Sequence, residues 1–550
     1  MSDLSKLPQP VAACLPAGVT DPDGKDAFSL RFGLATKDAV ATGATTHTKN
    51  SDLTNFPDGL GTYTKGLKQS SPGIVHAATF AQFLKACGVS SGAPADLADF
   101  ENAKISVPGP AKENGPLGAF SGQLIGKDSS EYGDTVVPTP FSLDSVEYAI
   151  ELVELYWASL LRDVPFSEYG ANATAQAAAK ELTALASAHP GKYKGPLDGS
   201  GAVTTGNLFR GGLNAHPKWF EGELDGPYIS QFCLTPTSLG AVPMDVKLKV
   251  LSAGTDYMTD PGIWADIQNG AAPTVAAAYD TNHRYLHTGR DAASYTRVDE
   301  LYQAYLIAYL VASSIGFGSN PKSPYNAFKK QKPFGTFGGP DIAATLGAVA
   351  RAAINAVWYQ KWRVHLRHRP EAGGGIVQLL KTGALNAVDT AKLGNFNIVL
   401  NSTALNLSFL RNGSYLLSQA FPEGSPTHPA YPTGHGSVAG ACITVLKFFL
   451  NGDAVFANPV IPSSDGLTLD AYPGPGALTI NGELHKLGHN ISFGHGIHAG
   501  IHWRGDTDYS LLLGEQVGID YLEDQMWSYK ENFNIPIKRM NGAIHHFKNF

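Results

Sequence analysis

Hydrophobic residues recur at helical spacing in several stretches of the chain. The first stretch, which Pro165 ends, carries apolar residues three or four positions apart: Val146, Ile150, Val153, Trp157 and Leu160. The same periodicity predicts further helices over residues 172–188, 297–315, 341–368, 433–450 and roughly 508–530. Strand patterns are few and short. We therefore predict a mainly α-helical fold, a helical bundle with long loops and few short strands.

The first 140 residues have a different character from the rest of the chain. They are rich in Gly, Pro, Ser and Thr, and their apolar positions show little helical periodicity. We predict that residues 1–140 form an irregular segment that wraps over a helical catalytic domain at 141–550.

Composition and charge exclude several classes of function. The chain has 550 residues, 43% of them hydrophobic, and a formal net charge of -7, which argues against a nucleic-acid partner held through its phosphates. The opening residues lack the apolar core of a signal peptide, and no run of 18 apolar residues occurs, so we expect no membrane partner and leave the compartment open. Four scattered cysteines without CxxC spacing predict buried free thiols, although one or two disulfides are compatible with the sequence: Cys14, Cys87, Cys233 and Cys442.

Two basic residues lie near the end of the predicted helix 341–368, for which Asp341 is the expected N-cap. Lys361 and Arg369 are eight residues apart, which on one helix separates them by about 80° and about 12 Å, so both side chains could converge on one point. A solvated basic helix end that complements the helix dipole is an equally ordinary interpretation.

The sequence PTGH precedes the predicted helix 433–450. Thr433 is a suitable N-cap, and the N–H groups of Gly434 and His435 would point out of the helix N-terminus, as in anion sites. His435 could donate to, or take a proton from, a bound oxyanion. His428, seven residues earlier, is by itself as compatible with a hydrogen-bonded loop residue as with a catalytic one.

Four histidines fall within fourteen residues near the C-terminus: His489, His495, His498 and His502. On a helix, His498 and His502 would share one face and could bind zinc, but the carboxylate of the HExxH motif is missing. The basic and hydroxyl groups of all three stretches together suit a highly charged tetrahedral oxyanion, and both phosphate and vanadate meet this description.

The same stretches resemble the vanadium-dependent haloperoxidases and the related acid phosphatases, which share a Lys and an Arg before a Pro, a PSGH-like motif and a final His. Longer segments are similar to the algal and cyanobacterial bromoperoxidase branch: FGGPDI, QKWRVHLRHRPEAGGG, PEGSPTHPAYPTGHGS and SLLLGEQVGIDYLEDQMWSYKENFNIP. The resemblance spans at least residues 335 to 535, and LYWASLLRDVPF extends it upstream.

The resemblance implies a role for each matching residue. His502 would bind vanadium directly, and His435 would contact the apical oxygen and manage protons. His428 matches an additional histidine of the bromoperoxidases, and Trp358 lies at a position that differs between branches, so halide preference stays open. The remaining residues would hold the equatorial oxygens: Lys361, Arg369, Thr433 and Gly434.

One position departs from the family pattern. An arginine is expected six residues before the final histidine, where this chain has Gly496. His495 can take its place only with a one-residue insertion, His498 is a second candidate, and Arg504 lies on the wrong side of His502. We expect His495 to fill the gap as an oxyanion-binding residue, or the site to have lost one charge.

The implied enzyme oxidises bromide or iodide with hydrogen peroxide to hypohalous acid, which halogenates a small organic acceptor. Lys361 would polarise the peroxide. Vanadate is the implied cofactor, phosphate can occupy the same site, and structural calcium is compatible with the fold. The resemblance also implies a large homo-oligomer, a dodecamer, with residues 1–140 and the C-terminal segment in subunit contacts. The alternatives are a phosphohydrolase of the acid-phosphatase type and a catalytically weakened oligomeric binding protein.

Overall fold

α-Helices form most of the regular structure. The computed structural model describes residues 47–89, 100–101, 137–216, 218–474 and 476–549. The helices in this part of the chain are α1 Asp52–Asn55, α2 Ala77–Ala86, α3 Val146–Leu161, α4 Ala173–Ala188, α5 Pro261–Gln268, α6 Gly289–Arg297, α7 Gln303–Ile315, α8 Gly339–Tyr359, α9 Pro370–Thr382, α10 Ala387–Lys392, α11 Asn397–Leu400, α12 Thr403–Asn412, α13 Gly434–Phe449, α14 Ile480–Phe493 and α15 Arg504–Gln525. The prediction of a mainly α-helical fold is confirmed.

The strands are short and pair only with a neighbour in sequence. Within the described ranges they form five two-stranded antiparallel sheets: β1 Gln69–Ser71 with β2 Ile74–Val75, β3 Thr237–Leu239 with β4 Val242–Met244, β5 Leu248–Leu251 with β6 Tyr279–Arg284, β7 Val460–Pro462 with β8 Leu469–Ala471, and β9 Asn534–Lys538 with β10 Ile544–Lys548.

Several helices begin where their capping residues require. The Ser145 hydroxyl accepts the N–H of Tyr148 at the start of α3, and the Asn172 side chain accepts two N–H groups at the start of α4. Thr433 is the N-cap of α13, as the sequence predicts. At α8 the prediction is wrong, because the N-cap is Gly338, and Asp341 in the first turn accepts the N–H of Phe337 at 2.8 Å.

The predicted helix 297–315 begins too early, because residues 298–302 are not helical. α6 ends at Arg297 and α7 begins at Gln303, and Val298 between them is 80% exposed. The apolar pattern continues across this break, so periodicity alone could not locate it. The predicted helix 508–530 is also displaced: α15 begins earlier, at Arg504, and ends at Gln525.

The predicted helix 341–368 ends early and changes type. α8 stops at Tyr359, a π-helical turn follows over Gln360–His365, and Leu366 has a left-handed backbone with φ of 45°. Arg369 is extended because the following proline disfavours a helical conformation there, and it serves as the N-cap of α9. Lys361 and Arg369 are therefore not on one helix, and the predicted 80° separation does not apply.

Two glycine-rich faces bring α13 and α15 into backbone contact. The two helices pack along their length, and a Cβ added at Gly440 would overlap the carbonyl oxygen of Leu511. A Cβ at Gly514 would overlap the carbonyl oxygen of Ser437 in the same way. Only glycine permits this approach. The first turns of α13 and α15, which carry the PTGH motif and the residues after His502, are thereby held side by side.

Part of the N-terminal region packs on the π-helical turn at residues 360–365. A small hydrophobic cluster joins Tyr63, Phe80 and Phe83 to Trp362, next to Lys361. The rest of the predicted wrapping segment, residues 1–46, 90–99 and 102–136, lies outside the described residues, and the subunit contacts stay a prediction.

The structure also bears on the predicted cysteine states and on the long apolar helix. Cys87, Cys233 and Cys442 are free thiols, whereas Cys14 lies outside the described residues. The helical span Gly339–His365 is long and apolar enough to cross a membrane, but 56% of its apolar window is buried inside the protein, as in a core helix.

We expect Gly514→Ala to lower the midpoint of thermal unfolding by several degrees, because the new methyl group forces α13 and α15 apart at a cost of about 1–3 kcal/mol. Gly347→Ala on α8 is the matched control, since a Cβ there meets no heavy atom within 4 Å. That control should leave the midpoint unchanged or raise it. Equal midpoints for both variants would contradict the close helix contact.

Candidate active site

Most of the predicted site residues converge on one buried region, which is called the pocket below. They come from the π-helical turn after α8, the N-terminus of α9, the loop before α13, the start of α13 and the segment between α14 and α15. The side chains of Lys361, Arg369, Thr433 and His502 are at most 1% exposed.

Lys361 and Arg369 reach the pocket from the two ends of the segment between α8 and α9. The Lys361 ammonium donates to the carbonyl oxygens of Pro429 and Ala430, both at 2.7 Å. Arg369 donates through Nη1 to Ile501 O at 3.0 Å and to His502 Nε2 at 2.7 Å. These contacts bring the two cations together as predicted, although by a different backbone path.

The hydrogen bonds of His502 determine which of its nitrogens carries the proton. Nδ1 lies 2.9 Å from Asp506 Oδ2, and a carboxylate can only accept, so Nδ1 is the donor. Arg369 Nη1 can only donate, so Nε2 presents its lone pair to the pocket. This tautomer and orientation are typical of a metal-binding histidine whose other ring nitrogen donates to a carboxylate.

His435 is oriented by Asp299, a residue in the break between α6 and α7. The Nε2 atom of His435 lies 3.0 Å from both carboxylate oxygens of Asp299. Nδ1 is then the nitrogen that can interact with a ligand. The break between α6 and α7, which the apolar pattern did not reveal, therefore supplies the residue that orients His435.

His495 lies inside the pocket. It belongs to a π-helical turn over Gly494–His498, in which one residue more than in an α-helical turn is accommodated. Its ring stacks on His435 with centroids 3.9 Å apart and lies 5.4 Å from the ring of His502. The Nδ1 atom of His495 is buried and has no hydrogen-bond partner among the described residues.

A side chain at position 496 would lie close to Thr507 and His502. A Cβ at this position would lie 3.3 Å from Thr507 Oγ1 and 3.4 Å from His502 Cβ. The π-helical turn holds one residue more than an α-helical turn, which is compatible with the expectation that His495 takes the place of the family arginine.

Thr433 supplies a hydroxyl at the N-terminus of α13. Its N–H donates to Ser510 Oγ at 2.8 Å, while its own Oγ1 is buried without a partner among the described residues. Gly434 and His435 occupy the first two positions of the helix, whose N–H groups have no intrahelical acceptor.

His428 lies at the half-exposed side of the pocket. Arg369 donates through Nε to its carbonyl oxygen and through Nη2 to its Nδ1, both at 2.9 Å. Its ring lies 4.8 Å from that of Trp358, which is also partly buried. These two rings are the aromatic groups closest to solvent in the site.

The pocket has a large excess of basic groups. Burial, and then the charge of Arg369, hold the pKa of Lys361 well below its usual value, and burial lowers the pKa of Arg369 to about 10. Burial and the neighbouring basic groups hold the pKa values of His495 and His502 well below 6.5. Each positive charge is disfavoured by the others, so a bound anion would stabilise all of them.

The other predicted histidines point away from the pocket. His498 pairs with the Tyr228 hydroxyl at 2.9 Å, and His489 lies between Glu223 and Asp508. The zinc hypothesis is wrong, because Gly500 has a φ of 82° and His498 and His502 do not share a helical face. Arg504 pairs with Glu154 and does not replace the family arginine.

Sequence reasoning missed Asp299 and Asp506, the two carboxylates that orient His435 and His502. Asp506 lies four residues after His502, a spacing too common to be informative, and Asp299 is 136 residues from its partner. No pattern in a single sequence indicates such a distant contact.

A tetrahedral oxyanion fits the groups that are present. Cationic donors and a buried, unpaired hydroxyl are the partners that its oxygens require, and the lone pair of His502 Nε2 can bind its central atom. Because the pocket is built largely from buried side chains, it is suited to a resident group.

Comparisons with known proteins agree with this chemistry. No family model matches the chain. The vanadium-dependent bromoperoxidase of Ascophyllum nodosum is 32% identical, over 96% of this chain and 93% of that protein. The vanadium-dependent bromoperoxidase of Corallina pilulifera is 31% identical, over 90% and 92%.

A solved structure has the same fold. The structure described as the homohexameric second vanadate-dependent bromoperoxidase of Ascophyllum nodosum matches with a TM-score of 0.85 and 27% sequence identity, covering 97% of this chain and 92% of that chain. With this fold, this pocket and these relatives, the chain belongs to the vanadium-dependent bromoperoxidase family.

Proposed function

We propose that the protein is a vanadate-dependent bromoperoxidase, which oxidises bromide or iodide with hydrogen peroxide to hypohalous acid for the halogenation of a small organic acceptor. The observation that carries the proposal is the lone pair of His502 Nε2, directed by Asp506 into a pocket of buried cations.

The same residues would hold vanadate. His502 Nε2 would bind the metal, while Lys361, Arg369, Thr433 and the N–H of Gly434 would donate to its oxygens. Arg369 Nη1 at present donates to His502 Nε2, so binding requires this N–H to turn from the nitrogen to the anion. When bound, vanadate supplies a Lewis acid that activates peroxide without a change of metal oxidation state.

The remaining groups divide between proton transfer and access. Asp299 holds Nε2 of His435, so that Nδ1 can donate to or accept a proton from a ligand oxygen. The third N–H of Lys361 can polarise a bound oxygen while the other two hold Pro429 and Ala430. His428 and Trp358, at the half-exposed side, are placed to meet an incoming halide.

A monobromination assay with and without vanadate tests the proposal. We expect bromide- and peroxide-dependent bromination that requires vanadate, and loss of both bromination and vanadate binding in His502→Ala, because the substitution removes the direct metal bond. An unchanged circular dichroism spectrum of the variant would show that the fold is retained. Vanadate-independent hydrolysis of a chromogenic phosphate ester, without bromination, would instead support a phosphohydrolase.

The cofactor and assembly extend this proposal. Phosphate should compete with vanadate, since both are tetrahedral oxyanions. Structural calcium stays a prediction; in the described ranges no group of three or more His, Cys, Asp or Glu side chains is arranged to hold a metal ion.

We propose a homo-oligomer, either a hexamer like that of the solved relative or the dodecamer expected from the sequence. Multi-angle light scattering should give a mass of six or twelve 58.2 kDa chains. A monomer would contradict the proposed assembly.

We propose that His495 contacts the anion in place of the family arginine. His495→Arg should tighten vanadate binding roughly ten- to a hundredfold, because a charge-assisted contact contributes about 1.5–3 kcal/mol. His495→Ala should weaken it, because the donor is lost. Calorimetric titration of vanadate into the metal-free proteins measures both effects.

His546→Ala is the control for this comparison, because His546 lies on β10 and bonds Asn534 at an exposed position. It should bind vanadate like the unmodified protein. Equal affinities for His495→Arg, His495→Ala and the unmodified protein would mean that His495 does not contact the anion.

A further inference from the structure

Arg367 lies behind the pocket and holds the carboxylate that orients His502. Its Nη1 donates to Asp506 Oδ1 at 2.6 Å, and both side chains are at most 2% exposed. The other oxygen, Asp506 Oδ2, accepts Nδ1–H of His502 at 2.9 Å and the N–H of Trp503 at 3.2 Å. Both oxygens of Asp506 are therefore occupied, one by the cation and one by the ligand histidine and its neighbour.

A second carboxylate completes the arrangement. Arg367 Nη2 donates to Glu151 Oε2 at 3.2 Å, and Glu151 Oε1 accepts the N–H of Gly505 at 2.6 Å. The guanidinium also lies over the ring of Trp503, 4.9 Å from its centroid. The planar fork of Arg367 is thus held by helix α3, through Glu151, and in turn holds the first turn of α15.

This arrangement bears on the chemistry of His502. The hydrogen bond from His502 Nδ1 to Asp506 fixes the imidazole ring so that Nε2 faces the anion, and it can do so only while Asp506 is itself held in place, as it is by Arg367. A weaker or misplaced Asp506 would allow the imidazole to rotate or to change tautomer. The consequence would be felt at Nε2, the atom that faces the anion.

We propose that Arg367 and Glu151 are positioning residues that fix the orientation and tautomer of His502 through Asp506 and so set the affinity for vanadate. Neither residue needs to touch the anion. The inference rests on the proposed function, since it concerns the same metal-binding nitrogen.

The chain offers a second buried Arg–Glu pair as a matched control. Arg504 is also buried and pairs with a glutamate of α3, Glu154, through Nε at 2.8 Å and Nη2 at 2.6 Å. It belongs to the same first turn of α15 as Asp506 but pairs with Glu154 and, at 3.7 Å, with Asp508. Loss of the Arg504–Glu154 pair should lower the stability of the fold without changing the orientation of His502.

The test compares Arg367→Lys with Arg504→Lys. Lysine keeps the charge but cannot bridge two carboxylates with a planar fork. We expect both variants to unfold at a lower temperature, but only Arg367→Lys to bind vanadate about ten- to a hundredfold more weakly in calorimetric titrations of the metal-free protein. Glu151→Gln, which keeps the acceptor for Gly505, should weaken vanadate binding in the same direction and decides the matter if Arg367→Lys does not fold.

Affinities that fall equally in the Arg367 and Arg504 variants would overturn the proposal, because the effect would then be general destabilisation. Unchanged affinity in Glu151→Gln and Arg367→Lys would overturn it as well. If the unmodified protein bound no vanadate, the proposed function itself would be wrong, and that failure is visible before any variant is made.

Discussion

The concentration of buried basic groups around one pocket is the constraint on which the site depends. Lys361 and Arg369 are buried beside the imidazoles of His495 and His502, and the carboxylate of Asp506 contacts His502 at Nδ1, on the side of the ring opposite to Nε2. Removing such charges from water is costly unless an opposite charge accompanies them. An oxyanion in the pocket would offset that cost for every basic group at once. Anion binding would therefore also stabilise the site.

Irregular backbone, rather than regular helix, places these groups. Lys361 and His495 both lie on π-helical turns, and the left-handed Leu366 redirects the chain towards Arg369. The regular part of the fold supplies rigidity, because glycine contacts lock α13 and α15 together where Thr433 and Asp506 meet. These contacts hold the backbone that carries the site residues, whereas the Arg369 side chain has to turn away from His502 when an anion binds.

The sequence was informative about elements and about candidate side chains. Helical periodicity indicated six of the fifteen α-helices in the described residues, and the spacing of basic and PTGH residues indicated an oxyanion site. The apolar pattern could not show the break between α6 and α7 that contains Asp299, because apolar residues continue across this break. Nor could it show the π-helical turns, because one extra residue in a turn does not visibly change a repeat of 3.6 residues. The π-helical turn that carries His495 was therefore visible only in the structure.

Contacts between residues far apart in the sequence could not be predicted for a different reason. Asp299 and His435, or Glu151 and Arg367, are joined only by the packing of distant helices. These pairs determine which nitrogen of each histidine faces the pocket. Without these pairs the residues would be of suitable types, but their donors and acceptors would not be defined.

The most direct test of the central claim is a crystal structure of the protein soaked with vanadate, with the metal located from its anomalous scattering. The account predicts one vanadium per chain at coordination distance from His502 Nε2, with Arg369 and Thr433 donating to its oxygens and the His495 ring beside it. Vanadium bound to another residue, or a fully soaked crystal with none in this pocket, would contradict it.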